Sequence, residues 1–320
     1  MRAAGVEPIA RVEDLSVNGL WEVLGKLPTI RSAQASVREA MQPAPDLLIT
    51  VDAPDFNLPL ARHARNLGIP TIGYVSPQVW AWRPRRAKNL ARDLDRLLCL
   101  FPFEPALYTP HGLDARFVGH PVIDRLAGVE RNPQPRRYAL LPGSREHELD
   151  RLLPVFLDTA RIVRDQQPDA SFVLGLARGA DPQRVASAVA EGIELVEGLV
   201  PAVMGCEAAL VASGTATLEL AVLGVPMVVA YRVHASTYAI GKALVRGIDH
   251  IALPNILAGS AVVPEHIQDL DPAVLARDLL AVAADPELPD RLAAVRAALG
   301  EPGASIRAAQ AALEPLRSSP

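Results

Sequence analysis

Short runs of uninterrupted apolar and β-branched residues are the feature that most constrains the fold of this chain. They recur along the whole sequence, and stretches with helical patterning separate them. Strands that lack a polar face are typical of parallel sheets covered by helices on both sides. We therefore predict strands at residues 47–51, 71–75, 96–101, 116–118, 138–141, 172–174, 208–211 and 227–231.

A proline-rich segment, residues 131–137, separates the two halves of this pattern. Each half alternates strand and helix, which predicts an α/β chain of two Rossmann-like, doubly wound domains at residues 1–134 and 135–320. The alanine-rich pattern from Ala273 onward predicts helices, the last of which could pack back on the first domain. Ligands of such sheets bind outside the carboxyl ends of the strands, so we expect the site in the cleft between the domains.

Composition excludes several classes of protein. Half of the 320 residues are hydrophobic, which supplies a full core and excludes wholesale disorder. A net charge of −4 and an aromatic content of 4% argue against a nucleic-acid binder. The apolar runs stay far below the roughly 18 residues of a membrane span, and the N-terminus lacks a signal-peptide core. We expect a soluble or peripheral intracellular protein, with Cys99 and Cys206 as buried, reduced thiols.

Two loops that follow predicted strands have the composition of phosphate-binding helix starts. Glycine permits close backbone approach, and free N–H groups with the helix dipole favour an anion. Ser213 is expected to cap one helix, and the forked guanidinium of Arg145 suits a phosphate at the other. Ordinary capped turns would explain the same residues, and at this point both interpretations stay open. The candidate nucleotide-binding residues are Gly143, Ser144, Ser213, Gly214, Thr215 and Glu219, the last of which could contact sugar hydroxyls.

In the first half, a carboxylate ends the predicted strand at residues 47–51. Asp52 could act there as a general base toward an acceptor hydroxyl. Turn and capping chemistry alone could explain the neighbouring Asp55 and Asn57, although both are candidate acceptor-side residues. His120 has a similar position after another strand, where a lone histidine is more often structural. Histidines and cysteines show no metal-ligand spacing, so no metal site is predicted.

Seven segments together resemble the lipid-A-disaccharide synthase family. They follow one another in the family's order and cover nearly the whole chain, and YVSPQVWAWR and LPNILAG are much more specific than any glycine-rich loop. The segments are VDAPDFN (51–57), YVSPQVWAWR (74–83), VGHP (118–121), LPGSR (141–145), SGTATLE (213–219), PMVVAYR (226–232) and LPNILAG (253–259).

The resemblance implies an inverting, metal-independent glycosyltransferase of the two-domain GT-B type that needs no cofactor. Its donor would be UDP-2,3-diacylglucosamine and its acceptor 2,3-diacylglucosamine 1-phosphate, with the lipid A disaccharide phosphate and UDP as products. Asp52, Arg145 and Asn255 match the family's essential aspartate, arginine and asparagine. Ser213, Gly214, Thr215 and Glu219 match its nucleotide-binding helix start.

The family opens with a β-strand and a G-E-x-S-G-D-type loop, whereas this sequence begins with Met1–Val6 at a point beyond that unit. We therefore expect a first sheet that is one strand short, a chain that is poorly soluble or only weakly active, and greater stability on extension upstream. Loss of a buried parallel strand exposes apolar surface, which costs about 25 cal/mol per Å².

An apolar helical face is predicted over residues 15–30, near the cations Arg83, Arg85, Arg86 and Lys88. Such a face beside positive charge suits peripheral binding to anionic lipid at the inner face of the cytoplasmic membrane, and packing in the core is an equal alternative.

The rival functions are another UDP-sugar enzyme of the same fold, such as a different glycosyltransferase or a UDP-N-acetylglucosamine 2-epimerase, and a silent lipid- or nucleotide-binding homologue. The sequence leaves the oligomeric state open.

Overall fold

A computed structural model describes residues 5–9, 20–77, 86–177, 179–233 and 250–317. The chain divides into two compact units, each built around a parallel sheet. Unit 1 comprises Met1–Gly119 and Gly303–Pro320, and unit 2 comprises His120–Pro302. The predicted α/β class with two doubly wound sheets is confirmed.

Unit 1 contains a four-stranded sheet in the order β1-β2-β3-β4, with every neighbouring pair parallel. Leu48 is level with Thr71, Ile72 with Arg96, and Arg96 with Asp114, so the strands run in register without a long offset. The elements of this unit up to Gly119 are α1 (Leu20–Glu39), β1 (Leu48–Val51), α2 (Pro54–Asn66), β2 (Thr71–Tyr74), α3 (Arg86–Asp93), β3 (Arg96–Cys99), α4 (Pro105–Tyr108), a 3-10 turn (Thr109–His111) and β4 (Asp114–Phe117).

Unit 2 contains a six-stranded sheet in the order β10-β9-β8-β5-β6-β7, again with parallel neighbours. Its elements are α5 (Pro121–Arg125), β5 (Arg137–Leu141), α6 (Glu146–Gln166), β6 (Ser171–Leu176), a 3-10 turn (Pro182–Val185), α7 (Ala186–Ala190), β7 (Glu194–Glu197), α8 (Leu199–Val203), β8 (Ala208–Ala212), α9 (Thr215–Val222), β9 (Met227–Tyr231), α10 (Leu253–Ala258), β10 (Glu265–Ile267), α11 (Pro272–Ala284) and α12 (Leu288–Ala298).

Burial explains which strands the sequence revealed. All five residues of β8 are buried, as are four of the five in β5 and in β9. The outer strands β7 and β10 were not predicted, because each begins with a glutamate and has no fully buried residue. An edge strand that carries charge lacks the continuous apolar run on which the prediction relied. Cys99 and Cys206 are both buried.

The boundary between the units differs from the predicted one at 134/135. The proline-rich segment 131–137 is not a free linker, because it is hydrogen-bonded along unit 2. The Arg131 guanidinium donates to the carbonyls of Cys206 and Gly224, and the Asn132 N–H donates to the Met204 carbonyl at 3.0 Å. The chain therefore enters unit 2 at His120, ahead of α5.

The last helix, α13 (Ala304–Arg317), belongs to unit 1. Its buried alanines Ala308, Ala311 and Ala312 pack against a cluster that includes Ile72 and Leu98. Glu314 forms ion pairs with Arg96 at 2.9 Å and with Arg116 at 2.6 Å. Small side chains let the helix approach the sheet closely, and the ion pairs join it to β3 and β4.

Among the described residues, no helix combines the length and the apolar character that a membrane crossing requires.

Candidate active site

The carboxyl end of β1 carries a strained turn. Asp52 and Ala53 have φ angles of 48° and 40°, which is the left-handed region that residues with a side chain rarely occupy. The Asn57 side chain stabilises this conformation, because its Nδ2 donates to the carbonyls of Val51 at 3.1 Å and Asp52 at 2.7 Å. The Asp52 N–H still pairs with the Tyr74 carbonyl at 2.9 Å. The turn thus holds an exposed carboxylate at a defined place beyond the strand.

A third strained residue follows the neighbouring strand, β2. Val75 has a φ of 73°, which is an outlier for a β-branched side chain. Its N–H donates to the Leu98 carbonyl at 3.1 Å. Strained non-glycine residues persist where the surrounding structure determines them, and they cluster at functional sites. Here they mark the carboxyl edge of the sheet in unit 1.

Beneath that edge lies a buried polar network. The hydroxyls of Ser76 and Tyr108 lie 2.7 Å apart, and Tyr108 also donates to the Pro77 carbonyl at 3.1 Å. The Glu104 carboxylate accepts the N–H groups of Leu100 and Phe101, both at 3.0 Å. Burial raises the pKa of Glu104 to about 7 and also raises the pKa of Tyr108. The network anchors residues 76–77, where the described part of the YVSPQVWAWR segment ends.

A small, half-open pocket with room for little more than a water molecule lies beside Asp52. Its floor is mostly apolar and includes Gly73, where a Cβ atom would lie 2.8 Å from a methyl group of Leu94. Asp52, Asn57 and Thr50 supply its polar rim. A hydroxyl bound at this rim would lie within reach of a carboxylate that can accept its proton.

Asp55, the other predicted carboxylate of this segment, lies in the first turn of α2 and forms an ion pair with Arg86. The structure thus brings Asp52, Asp55 and Asn57 together in one turn and gives each a different environment. Part of the apolar face predicted over residues 15–30 lies outside the described residues. Arg83 and Arg85 lie outside them entirely.

In unit 2, the strand order reverses between β5 and β8. β5 is the first strand of the unit, β6 and β7 lie on one side of it, and β8 to β10 lie on the other. Leu141 at the end of β5 is level with Val211 near the end of β8. The loops that follow these two strands therefore leave the same edge of the sheet side by side. Such a point of reversal is where open α/β sheets bind their ligands.

A carboxylate from the first turn of α6 already binds the loop after β5. Glu148 Oε2 accepts the N–H groups of Ser144 and Arg145, both at 3.2 Å, and its Oε1 lies 3.2 Å from a guanidinium nitrogen of Arg145. Arg145 is the N-cap of α6. A capping carboxylate therefore already holds the two N–H groups that the sequence offered as donors to phosphate. The Arg145 side chain is 64% exposed and keeps further donors for an anion.

Gly143 is required at this loop. Its φ is 112°, and a Cβ atom would lie 2.5 Å from Glu148 Oε2. A larger residue would combine backbone strain with a collision against the capping carboxylate.

The loop after β8 differs, because no side chain caps α9. The predicted capping by Ser213 is wrong: the N-cap residue is Gly214, and the Ser213 N–H donates to the Ala230 carbonyl at 3.0 Å, which extends the pairing of β8 with β9. Gly214 and Thr215 are exposed. An uncapped helix start at the point of strand reversal offers N–H groups and a positive dipole end to an anion.

Glu219 lies on the second turn of α9 and forms an ion pair with Arg125 of α5 at 2.9 Å.

His120 caps α5, since its Nδ1 accepts the Val122 N–H at 3.1 Å. Burial, with a contribution from the charge of Arg125, lowers the pKa of His120 to about 4. The Nδ1 atom of this imidazole is therefore occupied by the cap of α5.

Asn255 is fully buried in the first turn of α10, and local groups satisfy its amide. Its Oδ1 accepts the N–H groups of Val262 and Val263 at 2.8 and 2.9 Å, and its Nδ2 donates to the Val263 carbonyl at 2.8 Å and to Glu265 at 3.2 Å. Glu265 also accepts the N–H groups of Ile251 and Ala252. The geometry gives Asn255 a positioning role, because its amide fastens α10 to the segment before β10.

The family model described as lipid-A-disaccharide synthetase matches residues 1–284. The chain belongs to the lipid-A-disaccharide synthase family. A relative from Syntrophus aciditrophicus, named lipid-A-disaccharide synthase, is 41% identical over 100% of this chain and 88% of its own length.

Solved structures give the fold of this family member independently. MurG from Acinetobacter baumannii matches with a TM-score of 0.57 and 16% identity over 90% of this chain and 79% of its own. The UDP-GlcNAc 2-epimerase from Neisseria meningitidis, solved with UDP-GlcNAc bound, matches with a TM-score of 0.59 and 13% identity over 93% and 82%. At these identities the similarity establishes the fold alone, which is the GT-B fold of glycosyltransferases such as MurG.

Several residues at these sites were missed by sequence reasoning. Glu148 had a signal, since an acid three residues after an N-cap residue is the pattern of a capping box. Arg125 and Glu265 had none, and Arg86 was named only as a cation for lipid and not as the partner of Asp55. Their partners lie far away in sequence, except that of Glu265, and lone charged residues are usually solvated.

Proposed function

We propose that this member of the lipid-A-disaccharide synthase family joins UDP-2,3-diacylglucosamine to 2,3-diacylglucosamine 1-phosphate, with inversion at the anomeric carbon. The observation that carries the proposal is Asp52, an exposed carboxylate held by strained backbone at the end of β1 and beside an apolar pocket. A hydroxyl nucleophile needs a base at such a place.

In the proposed reaction, Asp52 takes the proton of the acceptor's 6-hydroxyl. The freed oxygen forms a bond to the anomeric carbon of the donor, on the face opposite to UDP. The bond between that carbon and the phosphate oxygen breaks, and its electron pair leaves with UDP. Backside displacement inverts the configuration from α to β, and the proton stays on the Asp52 carboxyl group.

We assign the donor nucleotide to the edge of unit 2 where β5 and β8 end. Support comes from the uncapped start of α9 and from the exposed side chain of Arg145. Charge accumulates on the diphosphate as UDP leaves, and a guanidinium together with helix N–H groups would stabilise it. The nucleotide-binding set is Gly143, Ser144, Arg145, Ser213, Gly214, Thr215 and Glu219.

Three further residues act in this proposal by holding others in place. Asn57 fixes the backbone of Asp52, His120 caps α5, and Asn255 fastens α10. Asp55 contributes through its ion pair with Arg86, which joins α2 to α3.

Peripheral binding to the inner face of the cytoplasmic membrane is part of the proposal, because both proposed substrates carry acyl chains. Among the described residues, the exposed Lys88 on α3 is a candidate contact for anionic lipid. We expect co-sedimentation with anionic vesicles and none with zwitterionic ones. Lys88→Glu should weaken co-sedimentation with anionic vesicles, whereas Arg296→Glu in unit 2 should not. Equal sedimentation of both variants with the wild type would contradict this contact.

The reaction is tested by incubating the purified chain with both acylated substrates in EDTA and following the disaccharide phosphate by mass spectrometry. We expect equal amounts of disaccharide and UDP, and no UDP release without the acceptor. UDP-N-acetylglucosamine as the sole substrate distinguishes the epimerase alternative, for which an epimerised product would appear. Absence of disaccharide from a folded protein that binds UDP would instead support the silent homologue.

A further inference from the structure

The ion pair between Arg125 and Glu219 joins two helices of unit 2 at the proposed nucleotide site. Arg125 is the last residue of α5, and its guanidinium nitrogen lies 2.9 Å from Glu219 Oε1. The Glu219 side chain is only 17% exposed, whereas Arg125 is 55% exposed. Among the described residues, the carboxylate has no partner besides Arg125, so its lone pairs remain available to a ligand.

α5 is held at both ends, which fixes where Arg125 lies. At its start, His120 caps the helix through Nδ1, and the His120 N–H donates to the Leu299 carbonyl at 3.0 Å. At its end, Arg125 meets Glu219, and the two helices pack against each other. His120 and Pro121, the last two residues of VGHP, therefore set the position of Arg125, four residues after the proline.

We propose that Arg125 is a positioning residue that makes the site selective for a ribonucleotide, by holding the Glu219 carboxylate oriented toward the ribose hydroxyls. This inference rests on the proposed nucleotide site at the start of α9. A carboxylate accepts the paired 2′- and 3′-hydroxyls of a ribose, and a 2′-deoxyribose offers only one of them. A site built to bind a hydroxyl strongly rejects the analogue that lacks it.

The test compares the dissociation constants of UDP and 2′-deoxy-UDP by calorimetry. We expect the wild type to prefer UDP by at least about tenfold. Arg125→Ala and Arg125→Gln should reduce the preference to less than about threefold while 2′-deoxy-UDP binding changes little, and Arg125→Lys should restore part of it. The KM for the donor should rise more than kcat falls.

The chain supplies a matched control in Arg161, which is 57% exposed and pairs with Glu191, itself 17% exposed, away from the site. Arg161→Ala should keep the wild-type preference. His120→Ala should lower the preference, and His120→Asn, which can still cap α5, should restore it.

Two failures are distinguishable. If Glu219→Ala abolishes the preference for UDP but Arg125→Ala and Arg125→Gln retain it, the role of Arg125 is refuted and the proposed nucleotide site stands. If the wild type binds neither nucleotide, or if Glu219→Ala leaves the preference unchanged, the ribose contact of the proposed function fails and the inference falls with it.

Discussion

The side-chain amide of Asn57 donates a hydrogen bond to the backbone carbonyl of Asp52, with 2.7 Å between Nδ2 and the oxygen. A second bond from the same nitrogen reaches the Val51 carbonyl at 3.1 Å. Together they hold two consecutive non-glycine residues in the left-handed region, where each costs roughly 1 kcal/mol or more. The chain accepts this cost at the one turn that presents its candidate base.

Glycine substitutions at this turn should separate stability from activity. Asp52→Gly and Ala53→Gly both relieve left-handed strain, so each should raise the free energy of unfolding by about 1 kcal/mol. Only Asp52→Gly should abolish disaccharide formation. Urea denaturation and the transferase assay on both variants provide the measurement. Lower stability of both glycine variants would show that the turn is not strained.

The two glycines of the nucleotide loops should respond differently to alanine. At Gly143 the added methyl meets Glu148 at a φ of 112°, so Gly143→Ala should lower the free energy of unfolding by roughly 1–3 kcal/mol. At Gly214 the methyl meets no atom within 4 Å, and Gly214→Ala should leave stability nearly unchanged. Its effect should appear instead as weaker UDP binding, because a methyl group at the N-cap residue would hinder the close approach of a phosphate to the helix start. Equal stability of the two alanine variants would contradict this account of Gly143.

The fold was predictable from sequence because its central strands are buried on both faces. β5, β8 and β9 contain uninterrupted apolar runs, and their parallel pairing follows from the helices between them. β7 and β10 escaped prediction because a charged edge strand has no such run. The boundary at Gly119 also escaped, because proline content does not reveal that Arg131 binds the carbonyls of unit 2.

The candidate site was predictable in its residues but less so in their partners. The position of Asp52 followed from the end of an apolar strand, whereas its left-handed backbone and the support from Asn57 depend on three-dimensional contacts. Motif residues do not reveal whether a helix N–H is already occupied, which is why the capping role of Glu148 was missed. The burial of Asn255 likewise depends on residues 262–265, which follow its own motif.

His120 should destabilise the protein in acid. Its pKa is lowered to about 4 in the folded chain, against an ordinary value of about 6.5 in an unfolded one. The unfolded state therefore binds more protons between these values, and the contribution to stability, present above pH 6.5, is lost as pH falls toward 4. The change is at most about 3 kcal/mol. His120→Asn keeps the cap without the titration, so its denaturation midpoint should vary less with pH over this window; His111→Gln should behave as the wild type.

Asn255 variants should lose activity together with stability. Asn255→Ala leaves the buried Val263 N–H without an acceptor, whereas the Val262 N–H keeps the Ser260 carbonyl at 3.0 Å. The free energy of unfolding should therefore fall by about 1–3 kcal/mol. Asn255→Asp keeps the acceptor but places a second carboxylate next to Glu265, so we expect at least as large a loss. Thermal melts alongside the transferase assay test this. An inactive Asn255→Ala protein with wild-type stability would instead indicate direct contact with the substrate.

The most direct test of the central claim is the steady-state rate of disaccharide formation by Asp52→Asn, with UDP affinity measured on the same preparation. Asp46→Asn, before the amino end of the same strand, is the matched control. The account predicts that kcat falls by about 10²–10⁴ in Asp52→Asn, with UDP affinity unchanged and full activity in Asp46→Asn. A rate near that of the wild type in Asp52→Asn would contradict the assignment of the base.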